Sequence, residues 1–209
     1  HSYPFSLVVN NEGERFLDEG ADFRNYTYAK YGGRILEQPG RTAWQVFDAK
    51  VTHLMRDEYR IRQITRVAAD SLEELADRLS EDHGMNRETF LRTIAEFNTA
   101  VKVDIPFDPT VKDGRRTDGL LINKMNWATT LDTPPYEAFG VTCGITFTFG
   151  GLRITPQAQV VGEDLIPMPG LFAAGELVGG IFYHNYPGGT GLLNGAVFGR
   201  IAGNNAASV

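Results

Sequence analysis

With 209 residues, 42% of them hydrophobic and 22% charged, the chain can bury a real core, in one large domain or two small ones. Its net charge of −6 argues against non-specific binding to nucleic acid, and no apolar run approaches the ~20 residues of a membrane span. The single cysteine, Cys143, excludes an internal disulfide framework and fits a reducing, cytoplasmic setting.

The opening His1-Ser-Tyr-Pro-Phe has no initiator methionine and no signal-peptide pattern, which fits a chain cut from a longer protein. Phe5 to Asn10 is strand-like. Asn11-Glu12-Gly13 supplies turn chemistry and Arg15-Phe-Leu a returning strand, so a hairpin is expected. Tyr26 to Leu36 reads as a short helix weakened by Gly32-Gly33, and Thr42 to Asp48 as a strand. Ser71-Leu-Glu-Glu74 is a capping box, with Leu72, Leu75, Ala76 and Leu79 on one helical face. Asn86 caps a second helix carrying Phe90, Leu91, Ile94, Ala95, Phe97 and Val101. Ile105 to Pro135 reads as a long loop.

From Phe139 the texture becomes β-rich and glycine-rich. Short strands are expected at 146–149, 152–154, 159–161 and 171–174, then a helix from about Gly191 to Ala207. The expected fold class is α+β, with an α+β module over 1–140 and a β-rich segment with a terminal helix over 141–209. Gly170-Leu-Phe-Ala-Ala-Gly-Glu-Leu-Val-Gly-Gly180 is a strand running into a glycine turn that holds one acid. Asn185-Tyr-Pro-Gly-Gly-Thr-Gly191 is a second such turn and feeds the last helix. Glycines let backbone approach a flat polar ligand, and a helix N-terminus stabilises negative charge on it. No G-x-G-x-x-G unit with strand and helix flanks occurs, and the histidines at 1, 53, 83 and 184 lack metal-ligand spacing.

Gly150-Gly-Leu-Arg-Ile, Ile166-Pro-Met-Pro-Gly-Leu-Phe-Ala-Ala-Gly-Glu176, Gly179-Gly180 and Phe198-Gly-Arg-Ile-Ala-Gly203 resemble the C-terminal part of the fumarate reductase/succinate dehydrogenase flavoprotein superfamily. Val9-Asn-Asn-Glu-Gly-Glu-Arg-Phe-Leu-Asp-Glu19 resembles that family's entry into its capping domain, so the likeness covers most of the chain. Asp18 to Tyr28 and His184-Asn-Tyr-Pro-Gly-Gly are most similar to the tricarballylate dehydrogenase branch. The resemblance implies a substrate-capping domain followed by the end of an FAD-binding domain, with the dinucleotide-binding unit N-terminal to His1.

It also implies FAD as cofactor, a small carboxylate or ketone as substrate, and an electron acceptor that the sequence does not identify. Glu176 then faces the ribityl side of FAD, Thr148 contacts the flavin, and the amides of Gly191 and Leu192 lie at its pyrimidine edge. Tyr186 stands where fumarate reductases carry a substrate-clamping arginine, and Phe147 where they carry a histidine. Tyr186 is therefore a candidate to polarise a carbonyl or bind a carboxylate, with packing beside Pro187 as the alternative. Gly189, His184 and Asn185 share the turn expected over the flavin, so Gly189 and His184 are further substrate-binding candidates. Arg24 is the candidate proton donor or carboxylate clamp, against a surface arginine pairing with Asp22 or Glu19. Lys124, in the loop with Trp127, is either an extra cation for a polyanionic substrate or a solvated lysine. The expected reaction is oxidation of a tricarboxylate such as tricarballylate, with ketosteroid-type desaturation second and fumarate reduction third. A catalytically silent capping fragment is the reading from a different class.

Overall fold

Residue alternation in one central strand organises the first part of the molecule. The computed structural model describes residues 1–208, and the chain divides into a unit spanning His1–Cys143 and a second beginning at Gly144. In the first unit, β1 (Leu7–Val9), β2 (Thr42–Phe47), β3 (Arg66–Ala69) and β4 (Tyr136–Thr142) form an antiparallel sheet in the order β1-β2-β4-β3. Successive side chains of a strand point to opposite faces. Trp44 and Val46 of β2 join Leu7, Val9, Val67, Ala69 and Ala138 against two helices, α2 (Leu72–His83) and α3 (Arg87–Ala100). Ala43 points the other way, toward α1 (Arg24–Leu36), and Phe47 packs with Val51, Met55, Tyr59 and Phe139. Both faces of the sheet are thus covered.

The two sheet-covering helices start as their sequences dictate. The Ser71 hydroxyl accepts from the Glu74 amide at 3.1 Å, and the Glu74 carboxylate reaches back to the Asp70 amide at 3.2 Å. Gly84 ends α2 in the left-handed region (φ 71°), its amide bonded to the Ser80 carbonyl. Asn86 caps α3 through the Thr89 amide at 3.0 Å. The expected hairpin after β1 contracts to one bridge, Val9 to Arg15. The Asn10 side chain explains this, because it accepts from the amides of Glu12 and Glu14 and closes a tight turn.

The segment 105–135 carries no regular helix or strand, yet it is fixed by side chains. Asn126 accepts from the Gly114 amide at 2.9 Å and donates to the Gly20 carbonyl at 2.8 Å. The Trp127 indole is buried and donates to the Val111 carbonyl at 2.8 Å. A Cβ on Gly20 would sit 2.2 Å from the Asn126 carbonyl oxygen, so this crossing of two loops requires glycine.

Beneath that crossing lies a buried ionic network. The Glu19 carboxylate, 0% exposed, takes two hydrogen bonds from Arg15, at 3.1 and 2.6 Å, and one from the Val8 amide at 2.8 Å. Lys124, 1% exposed, donates to the Ser6 carbonyl at 2.8 Å. Both readings of Lys124 from sequence, as a substrate cation or as a solvated lysine, are corrected here: the ammonium is interior. Glu19 is held below the usual carboxylate range because Arg15 and Lys124 outweigh the desolvation that pushes it up. Desolvation lowers Lys124 to about 8 despite the counter-charge of Glu19.

The second unit is smaller. β5 (Gln159–Val161) pairs antiparallel with β6 (Pro167–Phe172), and α4 (Thr190–Ala206) follows. Its core is Val160, Ala173 and Val178, with Ile154 against them. The strand expected at 146–149 does not form, and 152–154 contributes only isolated bridges, Leu152 to Val178 and Ile154 to Val160. No helix among the described residues is long and apolar enough to cross a membrane.

Two expectations follow for the first unit. Phe90→Ala, at a position 0% exposed, should lower its unfolding free energy by about 3–5 kcal/mol in a urea titration. The second concerns pH. Because the folded pKa of Lys124 lies below its unfolded value of 10.5, the unfolded state binds more protons between about pH 8 and 10.5. Stability from this residue therefore rises with pH through that window, by at most about 1.4 kcal/mol per pH unit. Tyr3, raised to about 12 by burial, opposes the rise above about pH 10. The test is the difference between wild type and Lys124→Met over pH 8–10, where only the wild type should show the extra slope.

Candidate functional site

In the second unit, two glycine pairs bring two stretches of backbone, 149–152 and 177–180, into direct contact. The Leu152 amide donates to the Leu177 carbonyl at 2.9 Å, the Leu152 carbonyl accepts from the Gly179 amide at 3.0 Å, and the Gly180 amide reaches the Phe149 carbonyl at 3.2 Å. A Cβ on Gly151 would meet the Leu177 carbonyl oxygen at 2.3 Å, and one on Gly179 the Gly151 nitrogen at 2.3 Å. This contact sets the segment bearing Thr148 beside the turn bearing Glu176. The Glu176 carboxylate accepts the Thr148 amide at 3.2 Å and remains exposed. That bond is the local reason residues 146–149 leave the strand conformation: the amide in the middle of the run is taken by a side chain.

The Glu176 turn also leans on α4. Gly175 adopts φ 84°, its carbonyl accepts from Asn194 Nδ2 at 3.4 Å, and a Cβ on Gly195 would stand 3.7 Å from its Cα. Gly189 is the N-cap of α4 at φ 88°, a conformation open to glycine at little cost. Lacking a side chain, it leaves the first-turn amides, those of Gly191 and Leu192 included, without a side-chain cap. The Thr190 hydroxyl and amide both return to the Pro187 carbonyl, at 2.6 and 3.2 Å, and fix the turn. Leu192 itself is 86% exposed.

Tyr186 is buried at 5% exposure inside an aromatic group. Its ring lies edge-on to Phe147 at 4.5 Å, with Phe149 at 5.8 Å and Phe182 at 5.9 Å. His184 is exposed and holds φ 63°, unusual for a residue with a Cβ, with its ring 4.2 Å from that of Tyr183. Thr148, Glu176, Tyr186, Gly189, Gly191 and Leu192 all belong to the second unit.

Arg24 belongs to the first unit and is the first residue of α1. Neither acid weighed for it is its partner: Glu19 is bound by Arg15, and Asp22 is paired with Lys112 at 3.5 Å. Arg24 Nη1 instead lies 3.0 Å from His1 Nδ1. Trp127 is interior and Cys143 half-buried, and neither lies in the Glu176–α4 arrangement.

Sequence reasoning passed over Asn194. Its Oδ1 is buried and has no hydrogen-bond partner among the described residues. The available signal was compositional, for Asn194 is the single polar side chain between Gly191 and Gly199.

The sequence profile of the FAD binding domain family matches residues 4–193. The chain is 32% identical over 205 residues to a probable fumarate reductase, Ifc3, of Shewanella frigidimarina, covering 97% of this chain and 31% of that protein. It is similar to the open conformation of a flavocytochrome c3 fumarate reductase, with a TM-score of 0.66 at 30% identity, over 99% of this chain and 33% of the other. It is also similar to the 3-ketosteroid delta1-dehydrogenase of Sterolibacterium denitrificans, with a TM-score of 0.69 at 26% identity, over 99% of this chain and 39% of the other. The chain thus spans about a third of the length of the relatives it matches.

The glycine contact yields a direct check. Gly179→Ala should force the two backbones apart and lower the melting temperature of the second unit, whereas Gly199→Ala, with open space around it, should leave it unchanged or raise it. Equal effects of the two substitutions in a thermal melt would contradict the described packing.

Proposed function

The chain belongs to the FAD binding domain family, and on that premise we propose that it acts in an FAD-dependent oxidoreductase working on a carbon–carbon bond beside carboxylate or carbonyl groups. The observation that carries the reading is that the Glu176 carboxylate holds the Thr148 amide in a glycine turn that packs through Gly175 on α4, whose first turn has no side-chain cap.

The residues fit the cofactor. A ribityl chain is a row of hydroxyl donors, and Glu176 and Asn194 present acceptors, the latter an orphaned Oδ1. The pyrimidine edge of a flavin gathers negative charge on reduction, and the amides of Gly191 and Leu192 at the α4 N-terminus suit it. Bound FAD supplies the hydride chemistry, and the chain supplies orientation and electrostatics. Tyr186 contributes a phenol held in one place by aromatic neighbours. Arg24 would clamp a carboxylate or handle the second proton.

For substrate, the first choice is a tricarboxylate such as tricarballylate, supported by the Asp18–Tyr28 and His184–Gly189 segments. A specific observation favours a ring ketone as the second: Tyr186 stands among Phe147, Phe149 and Phe182, an apolar wall suited to an alicyclic face. Plain fumarate reduction ranks third, because Phe147 and Tyr186 occupy the positions expected to hold a histidine and an arginine.

Titrating the protein with FAD and following flavin fluorescence should give saturable binding. Absence of binding by the full-length enzyme as well as by this chain would leave the silent capping module as the surviving account. In the flavin-loaded full-length enzyme, tricarballylate should bleach the oxidised-flavin absorbance band. Bleaching by a 3-ketosteroid alone would move the assignment to ring ketones. Tyr186→Phe should slow that bleaching by about tenfold or more while bound flavin stays constant, the loss of one hydrogen bond in the transition state.

A further inference from the structure

We infer that Asn194 is a cofactor-binding residue whose side-chain carbonyl accepts a hydrogen bond from a ribityl hydroxyl of the flavin. The inference rests on the flavin reading above and adds a residue and an atom to it.

The orientation of the Asn194 amide is fixed by its surroundings. Its Nδ2 faces the Gly175 carbonyl oxygen at 3.4 Å, and a carbonyl oxygen in that place would meet another acceptor. Oδ1 therefore points elsewhere, and there it is shielded from solvent and without a partner among the described residues. A buried acceptor left unmade costs about 1–3 kcal/mol. The helix around it has no other use for polarity: Gly191, Leu192, Leu193, Gly195, Ala196 and Val197 are all apolar. An aliphatic residue would satisfy α4 equally well as a helix. The polar atom thus answers to a donor that the described chain does not supply.

The chemistry of that donor follows from the neighbours. The first-turn amides of Gly191 and Leu192 are donors and call for an acceptor on the ligand. Asn194 stands one turn further along α4, bonded to Gly175, and Glu176 is the next residue in that turn. A ligand segment at this turn would be offered two acceptors, the exposed carboxylate of Glu176 and Oδ1 of Asn194, whose Nδ2 is bonded to the residue before Glu176. A chain of adjacent hydroxyls matches two acceptors, while the single N–H of a flavin ring matches one.

Riboflavin and lumiflavin separate these possibilities, since lumiflavin keeps the ring N–H and lacks the hydroxyl chain. Wild-type protein should bind riboflavin more tightly than lumiflavin. Asn194→Leu should weaken riboflavin by roughly threefold to tenfold and leave lumiflavin unchanged, erasing much of the preference. Loss for both ligands alike, or for neither, would overturn the assignment while leaving the flavin reading intact. Failure of wild-type protein to bind any flavin would overturn both. A ring flavin carrying a plain pentyl chain provides the same test without a variant: it should bind wild type like lumiflavin, and riboflavin-like affinity would refute the hydroxyl contact.

Discussion

The fully buried carboxylate of Glu19 is the constraint on which the first unit depends. Taking a carboxylate and an ammonium out of water costs several kcal/mol each, and only close partners offset it. Arg15 supplies two bonds, the Val8 amide a third, and Lys124 a second positive charge tied to the Ser6 carbonyl. These partners come from β1, from the loop after it and from a segment more than a hundred residues later. They cannot be satisfied piecemeal, so the strand, the 15–24 loop and the 113–127 loop adopt one register together. Arg15 also donates to the Ile122 carbonyl at 2.6 Å, which closes the same ring from the other side. Arg24 follows as α1 begins, and its position is inherited from this anchor.

The second unit obeys a different logic. Its strands are short, its backbones touch through glycine, and Glu176 is exposed. Where the first unit uses buried charges for internal closure, the second leaves the Glu176 carboxylate exposed and the first turn of α4 without a side-chain cap. The Thr148–Glu176 bond shows how one carboxylate serves both ends: it shapes the loop and still presents an exposed acceptor.

What could be read from sequence follows the range of the interactions involved. The caps at Ser71 and Asn86 and the period of α2 and α3 were legible because their partners lie within four residues. The strand 42–47 was legible because its hydrophobic content is dense. β3 and β4 were not read as strands. Tyr136–Thr142 carries Glu137, Ala138 and Gly140, weak strand formers held in place by pairing with β2 and β3. The run 146–149 alternates like a strand, yet a side chain 28 residues away captures its central amide. Lys124 looked like a loop lysine because its burial depends on Glu19 and Ser6, both remote. Within the candidate site, glycine spacing marked Glu176 and Gly189–Leu192, whereas one asparagine in a helix carries almost no local signal.

No residue of α4 is buried, and the core beneath it amounts to Val160, Ala173, Val178 and Ile154. A body with so little apolar closure holds a small unfolding free energy of its own. Whatever binds its native form and not its unfolded form adds stability in proportion to the logarithm of its concentration. For a ligand that binds only the native form of this unit, resistance to proteolysis would rise with ligand concentration.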